Sequence, residues 1–413
     1  MTSTFRLSDL YLIKKETIVT GFLYTGMLIA FLGSLNPWFM WPIGGLYPIP
    51  AAGCLLVAFL LSRTMKQSYF SRTDFILPLV TFLLFSIYER ISTESNLNGY
   101  LMLVFRATIF FCIFTVDTEK LRELTTFICK VMGGLLAVSL AGHLLYLTGF
   151  SLPGKDASFG EFYTYTNHYL FLLDDRNLFT ILPRFNSYFL EPSHIGSSAA
   201  FLLFAQRGQW WKWYNIVLLT TIFFTFSLAA YIYIVAIIFL NLWITKKQFF
   251  GKFIAALGLL GGATLFASTY NEGDNPINEL IMLRLEVNDD GKLAGDARVT
   301  NNFEADYANF VESSDIFLGR DYEITEFGNA GYKVFFYDHG IVGIILLTMF
   351  YIVSMAYSPN KRAVIATLIV ATLYFLPSAF MLWENIFLPL YAAAYLDSSA
   401  SSQDSIETGN EQT

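Results

Sequence analysis

The chain has 413 residues, 55% hydrophobic and only 14% charged, with a mean hydropathy of +0.50. A soluble domain carries nearer about a quarter charged residues, so this composition excludes an ordinary water-soluble enzyme. A formal net charge of -7 with scattered Lys and Arg likewise leaves no basic surface for nucleic acid.

Apolar residues recur in runs of about twenty, the length that crosses a bilayer as a helix. The expected fold is therefore an all-α polytopic membrane protein of about twelve transmembrane helices in one domain, 1–397, followed by a disordered cytoplasmic tail, 398–413. The 41 Phe, 24 Tyr and 7 Trp fit interfacial aromatic belts and lipid-facing surfaces. The first run is too long for a cleaved signal peptide and lacks a small-residue cleavage site, so it is expected to remain as an anchor.

In chain order, spans are expected at about 17–35, 45–62, 75–89, 99–116 and 124–149. The 36–44 connection carries no charge, whereas 63–74 holds Arg63, Lys66 and Arg72, and 117–130 holds Lys120, Arg122 and Lys130. Basic short loops mark the cytoplasmic side, so the N-terminus reads as cytoplasmic and the fifth span ends outside. A long outer loop, about 150–185, is rich in Tyr, Phe, Asp, Asn and Gly. The sixth span follows at about 191–206, a pair at about 213–226 and 228–245, and the ninth at about 253–269. A second long outer loop, about 270–332, precedes spans at about 333–357, 362–379 and 381–397, which leave both termini inside. There is no internal repeat.

Two stretches carry candidate chemistry. In PRFNSYFLEPSHIG, at 183–196, the pre-proline residue Glu191 is pushed to extended backbone, and Pro192 suits the first turn of a helix. Glu191 thus reads as an N-cap, with His194 three residues on and on the same face. Free N–H groups and the helix dipole at that end favour an anion. The same residues also fit a plain capped entry at the interface with Arg184 snorkelling, and both readings stay open. In the second loop, NNFEADYANFVESSD has apolar residues at helical spacing and is expected to form an amphipathic surface helix. Arg284, Arg298, Arg320 and Lys333 lie around it, and His339 falls just inside the tenth span, where an ionisable residue is a functional candidate.

Other patterns fail. No P-loop, dinucleotide fingerprint, zinc-protease motif or nucleophile elbow is present. The four histidines form no metal cluster, and Asp174-Asp175 is a weak cation signal. Cys54, Cys112 and Cys129 lie in or beside apolar runs without ligand or redox spacing. No metal or cofactor is expected. What remains is a metal-free transfer at the outer interface, with arginines on a diphosphate and a carboxylate or histidine as base.

At PRFNSYFLEPSHIG the chain resembles the Wzy-type polysaccharide polymerases and, more distantly, the O-antigen ligases of bacterial inner membranes. Those polymerases often show an Arg, an aromatic-rich stretch, then Glu-Pro-Ser and a small residue opening a helix. Here the positions are Arg184, Glu191, Pro192, Ser193 and Gly196. A second shared feature is an arginine-bearing segment, a Gly-rich turn and a helix reading roughly Gly-Ile-Val-Gly, here Arg298, Gly319-Arg320 and HGIVG at 339–343. The ligases carry His-Asn earlier in that segment, whereas this chain has Asn329-Ala330-Gly331 and Asp338-His339, which favours the polymerase.

The resemblance implies a GT-C-like membrane glycosyltransferase of the bacterial inner membrane with its site facing the periplasm. Its donor and acceptor would be undecaprenyl-diphosphate-linked oligosaccharides, and its partners a chain-length co-polymerase and a repeat-unit flippase. Glu191, His339, Arg184 and His194 would be the catalytic set, and Arg298, Arg320, Arg284 and Lys333 would hold the diphosphate. Tyr163, Tyr165 and Tyr337 would contact sugar, alongside Phe159, Phe162 and Tyr169. The competing expectations are a ligase with the same donor, or a flippase or transporter. A transporter usually places ionisable residues near the bilayer midplane and shows repeated halves. Here the ionisable residues gather toward the outer face.

Overall fold

A computed structural model describes residues 7–64, 69–92, 97–160, 163–174, 183–245, 301–320 and 331–396, together with scattered positions between 251 and 273. Arg284, Arg298, the 398–413 tail and most of the expected ninth span lie outside the described residues.

The protein is mostly helical. Apolar chain buries its own backbone polar groups as helix, which is why the hydrophobic runs become α1 (Leu7–Leu35), α2 (Pro48–Ser62), α3 (Ile76–Ser92), α4 (Leu97–Thr115) and α5 (Thr118–Leu147). The next helices are α6 (Pro192–Ala205), α7 (Trp213–Phe224), α8 (Leu228–Thr245) and the surface helix α9 (Asn301–Glu312). The last are α10 (Gly331–Met355), α11 (Lys361–Phe375) and α12 (Glu384–Tyr395). Among the described residues, six helical stretches are long and apolar enough to cross a membrane: 15–35, 44–62, 97–115, 118–147, 228–245 and 331–355. The break expected at TFSLAA is the α7–α8 joint, and the amphipathic segment is α9.

The connections fall at two ends of the bundle. At one end the 150–185 loop folds as an antiparallel sheet, a departure from helices alone. β1 (Lys155–Phe159) pairs with β2 (Tyr163–Asn167), which pairs with β3 (Leu172–Asp174). Phe159 lies opposite Tyr163, and Tyr165 opposite Asp174. The alternation YTYTN puts Tyr163 and Tyr165 on one face, their rings 6.1 Å apart and nearly parallel. Trp41, from the α1–α2 connection, packs on Phe159 and Tyr165 at 5.3 and 6.2 Å. At the opposite end Arg72 donates to the Tyr391 hydroxyl at 2.7 Å, and Arg207 donates to the Ala393 carbonyl.

α6 and α12 form the centre of the bundle. All of α12 is buried, and so is all of α6 except Ser193 and His194. Gly196, Ser197, Ser198, Ala199 and Ala200 keep α6 thin. A Cβ at Gly196 would lie 2.7 Å from the Ala230 Cβ, so α8 crosses where only hydrogen fits. At about 21 and 18 Å the two helices are far shorter than α1 and α5 at about 44 and 45 Å. Both finish at the end opposite the sheet. α12 starts level with the last turn of α1, where Asn385 N–H donates to the Ser34 hydroxyl at 2.9 Å, and α6 starts beneath the sheet.

Candidate functional site

The start of α6 is built as the sequence leads one to expect. Glu191 is extended (φ -131°, ψ 142°), Pro192 opens the helix, and no side-chain capping bond forms. The carboxylate is held instead by one hydroxyl from the sheet and one from the first turn of α6. The Tyr163 hydroxyl donates to Oε1 at 2.6 Å, and the Ser193 hydroxyl donates to Oε2 at 2.8 Å. His194 Nε2 lies 4.0 Å from Oε2. The sheet thus reaches the helix entry through one tyrosine, and a carboxylate, an imidazole and two hydroxyls meet there.

The loop leading to Glu191 is anchored along its length. Phe185 N–H donates to the Phe224 carbonyl at 3.0 Å, and Arg184 Nε donates to the Thr225 carbonyl at 3.1 Å. A side chain at Gly196 would also meet Thr225 Oγ1, at 3.4 Å, so Arg184 is bonded to the joint that flanks the first turns of α6. His143 on α5 supports the loop from beneath, its ring 5.3 Å from Phe171 and 5.2 Å from Phe185. Burial pushes the Tyr188 hydroxyl above the ordinary phenol range.

The aromatic wall beside His194 comes from a part of the chain that sequence reasoning did not single out. In the α11–α12 connection, Phe380 and Trp383 stack with centroids 4.1 Å apart and 14° between planes. The His194 ring meets them edge-on at 6.0 and 5.2 Å.

Next to Trp383 is a buried charge pair. Arg106, the tenth of the nineteen residues of α4, donates from Nε to Glu384 Oε1 at 3.0 Å and from Nη2 to the Leu382 carbonyl at 2.6 Å. The Tyr47 hydroxyl donates to Glu384 Oε2 at 2.8 Å. The expected gathering of ionisable groups toward one face fails for this pair. Its signal was available: an Arg inside LMLVFRATIFF and a Glu inside MLWENIF.

The remaining candidates are elsewhere. His339 is buried, with Nδ1 2.7 Å from the Ser92 hydroxyl and its ring against Phe335 at 4.7 Å. It is a packed helix–helix residue next to a kink, not a member of the Glu191 cluster. Gly340 has φ +58°, and a Cβ there would lie 2.6 Å from the Phe317 carbonyl. Gly319 has φ +86° and presses on the Asp338 carbonyl in the same crossing, so both positions need glycine. Arg320 Nε bonds Asp315 at 2.5 Å, and its Nη1 lies 3.6 Å from Asp306, while Lys333 bonds Glu304. Lys333 fastens α10 to Glu304 of α9, and Arg320, in the connection between the two helices, bonds Asp315 of that connection and approaches Asp306 of α9, so carboxylates already sit on both cations. Tyr165 is fully buried and donates to the Leu190 carbonyl at 2.6 Å, so it offers no ring face to a sugar. Tyr337 is buried against Phe303 and Phe310 with its hydroxyl on Asp306, and it drops out for the same reason. Of the three expected sugar-contacting tyrosines, only Tyr163 stands at the cluster.

Among the described residues no group of His, Cys, Asp and Glu has the arrangement of a metal site. In comparisons with known proteins, no family model, no curated protein and no solved structure matches the chain.

Proposed function

We propose that the protein is a membrane glycosyltransferase that joins undecaprenyl-diphosphate-linked oligosaccharide repeat units. The observation that carries this reading is the Glu191 cluster: a carboxylate and an imidazole at a helix N-terminus of an apolar bundle, under a tyrosine-bearing sheet. In this reading the chain is a GT-C-like enzyme of about twelve spans in the bacterial inner membrane. The sheet end faces the periplasm, and Arg72, Arg207 and Lys361 face the cytoplasm.

A hydroxyl of the acceptor's non-reducing sugar attacks the anomeric carbon of the donor's reducing-end sugar. A C–O glycosidic bond forms, the anomeric C–O bond to diphosphate breaks, and undecaprenyl diphosphate leaves with the electron pair. Glu191 takes the hydroxyl proton, directly or through His194. Tyr163 and Ser193 fix the orientation of the carboxylate. Arg184 favours the charge that grows on the leaving diphosphate. One such donor lowers the barrier by about 2–4 kcal/mol when it strengthens in the transition state. Arg298 and Arg284 belong to the proposed diphosphate set through the resemblance alone. Arg320 and Lys333 would first have to leave their carboxylates. A chain-length co-polymerase and a repeat-unit flippase complete the proposed partners.

The test is the ladder of lipid-linked glycan in cells carrying Glu191→Gln or Arg184→Ala, with membrane protein level measured in parallel. The expected result is loss of the ladder, single repeats remaining on carrier, at normal protein level. A normal ladder that never reaches its final acceptor assigns a ligase instead. An unchanged ladder in both variants overturns this site. The Arg106–Glu384 pair, deep in the bundle, is the observation that favours a transporter. Repeat units trapped on the cytoplasmic leaflet of an Arg106→Gln strain would move the reading there.

A further inference from the structure

The Phe380–Trp383 stack has no part in holding the carboxylate, and its geometry suggests a second role. Phe380 is 44% exposed although one of its faces is covered by Trp383 at 4.1 Å. The His194 ring stands nearly perpendicular to both, its centroid 6.0 and 5.2 Å from theirs, and His194 Nε2 is 4.0 Å from Glu191. An open aromatic surface therefore lies one imidazole ring away from the carboxylate, which in turn bonds the Ser193 and Tyr163 hydroxyls.

The connection that carries these rings is rigid. Phe380 N–H meets the Ser378 hydroxyl at 3.4 Å, and Trp383 N–H donates to the Phe380 carbonyl at 3.3 Å. Arg106 holds the Leu382 carbonyl, and Glu384, the residue after Trp383, is fixed by Arg106 and Tyr47. A preformed ring pair loses little freedom when something stacks on it.

The rim decides what that something is. An acyl tail would use the rings but has no need of a carboxylate and two hydroxyls. A phosphate would be repelled by Glu191. A pyranose has an apolar C–H face for the rings and hydroxyls at its edge for the carboxylate. We infer that the Phe380–Trp383 stack is the platform for the acceptor's terminal sugar ring, which it holds with one hydroxyl toward Glu191. This subsite rests on the glycosyltransferase reading of the Glu191 cluster. It is placed on the acceptor side because the acidic rim disfavours the donor's diphosphate.

The experiment uses the full-length protein in nanodiscs and a defined probe: the free oligosaccharide released by mild acid from the producing cells' own lipid-linked pool. Binding is followed by tryptophan fluorescence, with Trp383→Phe identifying the share of the signal that belongs to Trp383. The expected result is a saturable Trp383 signal whose half-saturation rises about tenfold in Phe380→Leu and is kept in Phe380→Tyr, since leucine preserves the apolar contact and loses the ring. Unchanged half-saturation in Phe380→Leu overturns the platform. So does a Trp383 signal that is quenched by brominated phospholipid and insensitive to the oligosaccharide, which marks the rings as a lipid contact.

A parallel chain-extension assay separates the two claims. Binding that depends on the Phe380 ring, in a protein that extends no chains, keeps the platform and drops the polymerase. Chain extension that survives Phe380→Leu undiminished keeps the polymerase and drops the platform.

Discussion

Arg106 sits near the middle of an apolar helix, where a lone cation costs at least about 2.5–3.5 kcal/mol even by the mildest scales. Glu384, a carbonyl and a tyrosine hydroxyl offset that cost by closing the guanidinium into a network. Removing one partner leaves the other charge buried, so Arg106→Gln or Glu384→Gln should each lose about 3–5 kcal/mol. The double substitution should recover much of that loss. Thermal unfolding in detergent, followed by tryptophan fluorescence, gives all three values as a double-mutant cycle. A double variant no better than the singles would mean that Arg106 and Glu384 do not stabilise through each other. Gly340→Ala tests a different residue-scale constraint. A methyl group on a left-handed backbone pressed against the Phe317 carbonyl should cost at least about 1–3 kcal/mol, read in the same assay.

At the scale of elements, α9 is fastened to α10 by Lys333 with Glu304, and to the connection between them by Arg320, which bonds Asp315 of that connection and approaches Asp306 of α9. These groups are partly exposed, so the fastening contributes little to stability, about 0–1 kcal/mol per pair, and weakens with salt. This separates a clasp from a substrate contact. If Arg320 only fastens α9, Arg320→Ala and Asp315→Asn should lower activity to similar degrees, and the wild type should weaken as salt rises. If Arg320 holds diphosphate, Asp315→Asn should leave activity intact or raise it by freeing the guanidinium, and Arg320→Ala alone should abolish chain extension. The readout is ladder length at matched protein level.

For the whole molecule, antiparallel helices sort the connections into two ends, with the sheet at one and Arg72, Arg207 and Lys361 at the other. A membrane imposed on this bundle gives a direct prediction. With Cys54, Cys112 and Cys129 replaced, a cysteine at Asp156, exposed on β1, should react with an impermeant maleimide added to one side of the sealed membrane. A cysteine at Lys361, at the start of α11, should react only after the membrane is opened. Reaction of both from the same side would overturn the two-ended topology.

The helices were legible in the sequence because each satisfies its own backbone bonds locally, and run length and apolar content suffice to mark them. The opening of α6 at Pro192 with Glu191 extended, the α7–α8 break and the amphipathic α9 were legible for the same reason: proline, loop composition and helical spacing act over a few residues. The small sheet escaped because its strands are short and its partners are fixed by register across a loop. What approaches Glu191 was set by tertiary packing. Tyr163 arrives from β2, while Phe380 and Trp383 arrive from a connection nearly two hundred residues away. Packing also removed Tyr165, Tyr337 and His339 from the cluster by burying them in other contacts. The sequence alone determined that this is an apolar helical chain with an acid and a histidine at one helix entry. Only the tertiary structure decided which hydroxyls, rings and charges surround that entry, because such neighbours are chosen by how the short helices α6 and α12 nest between longer ones.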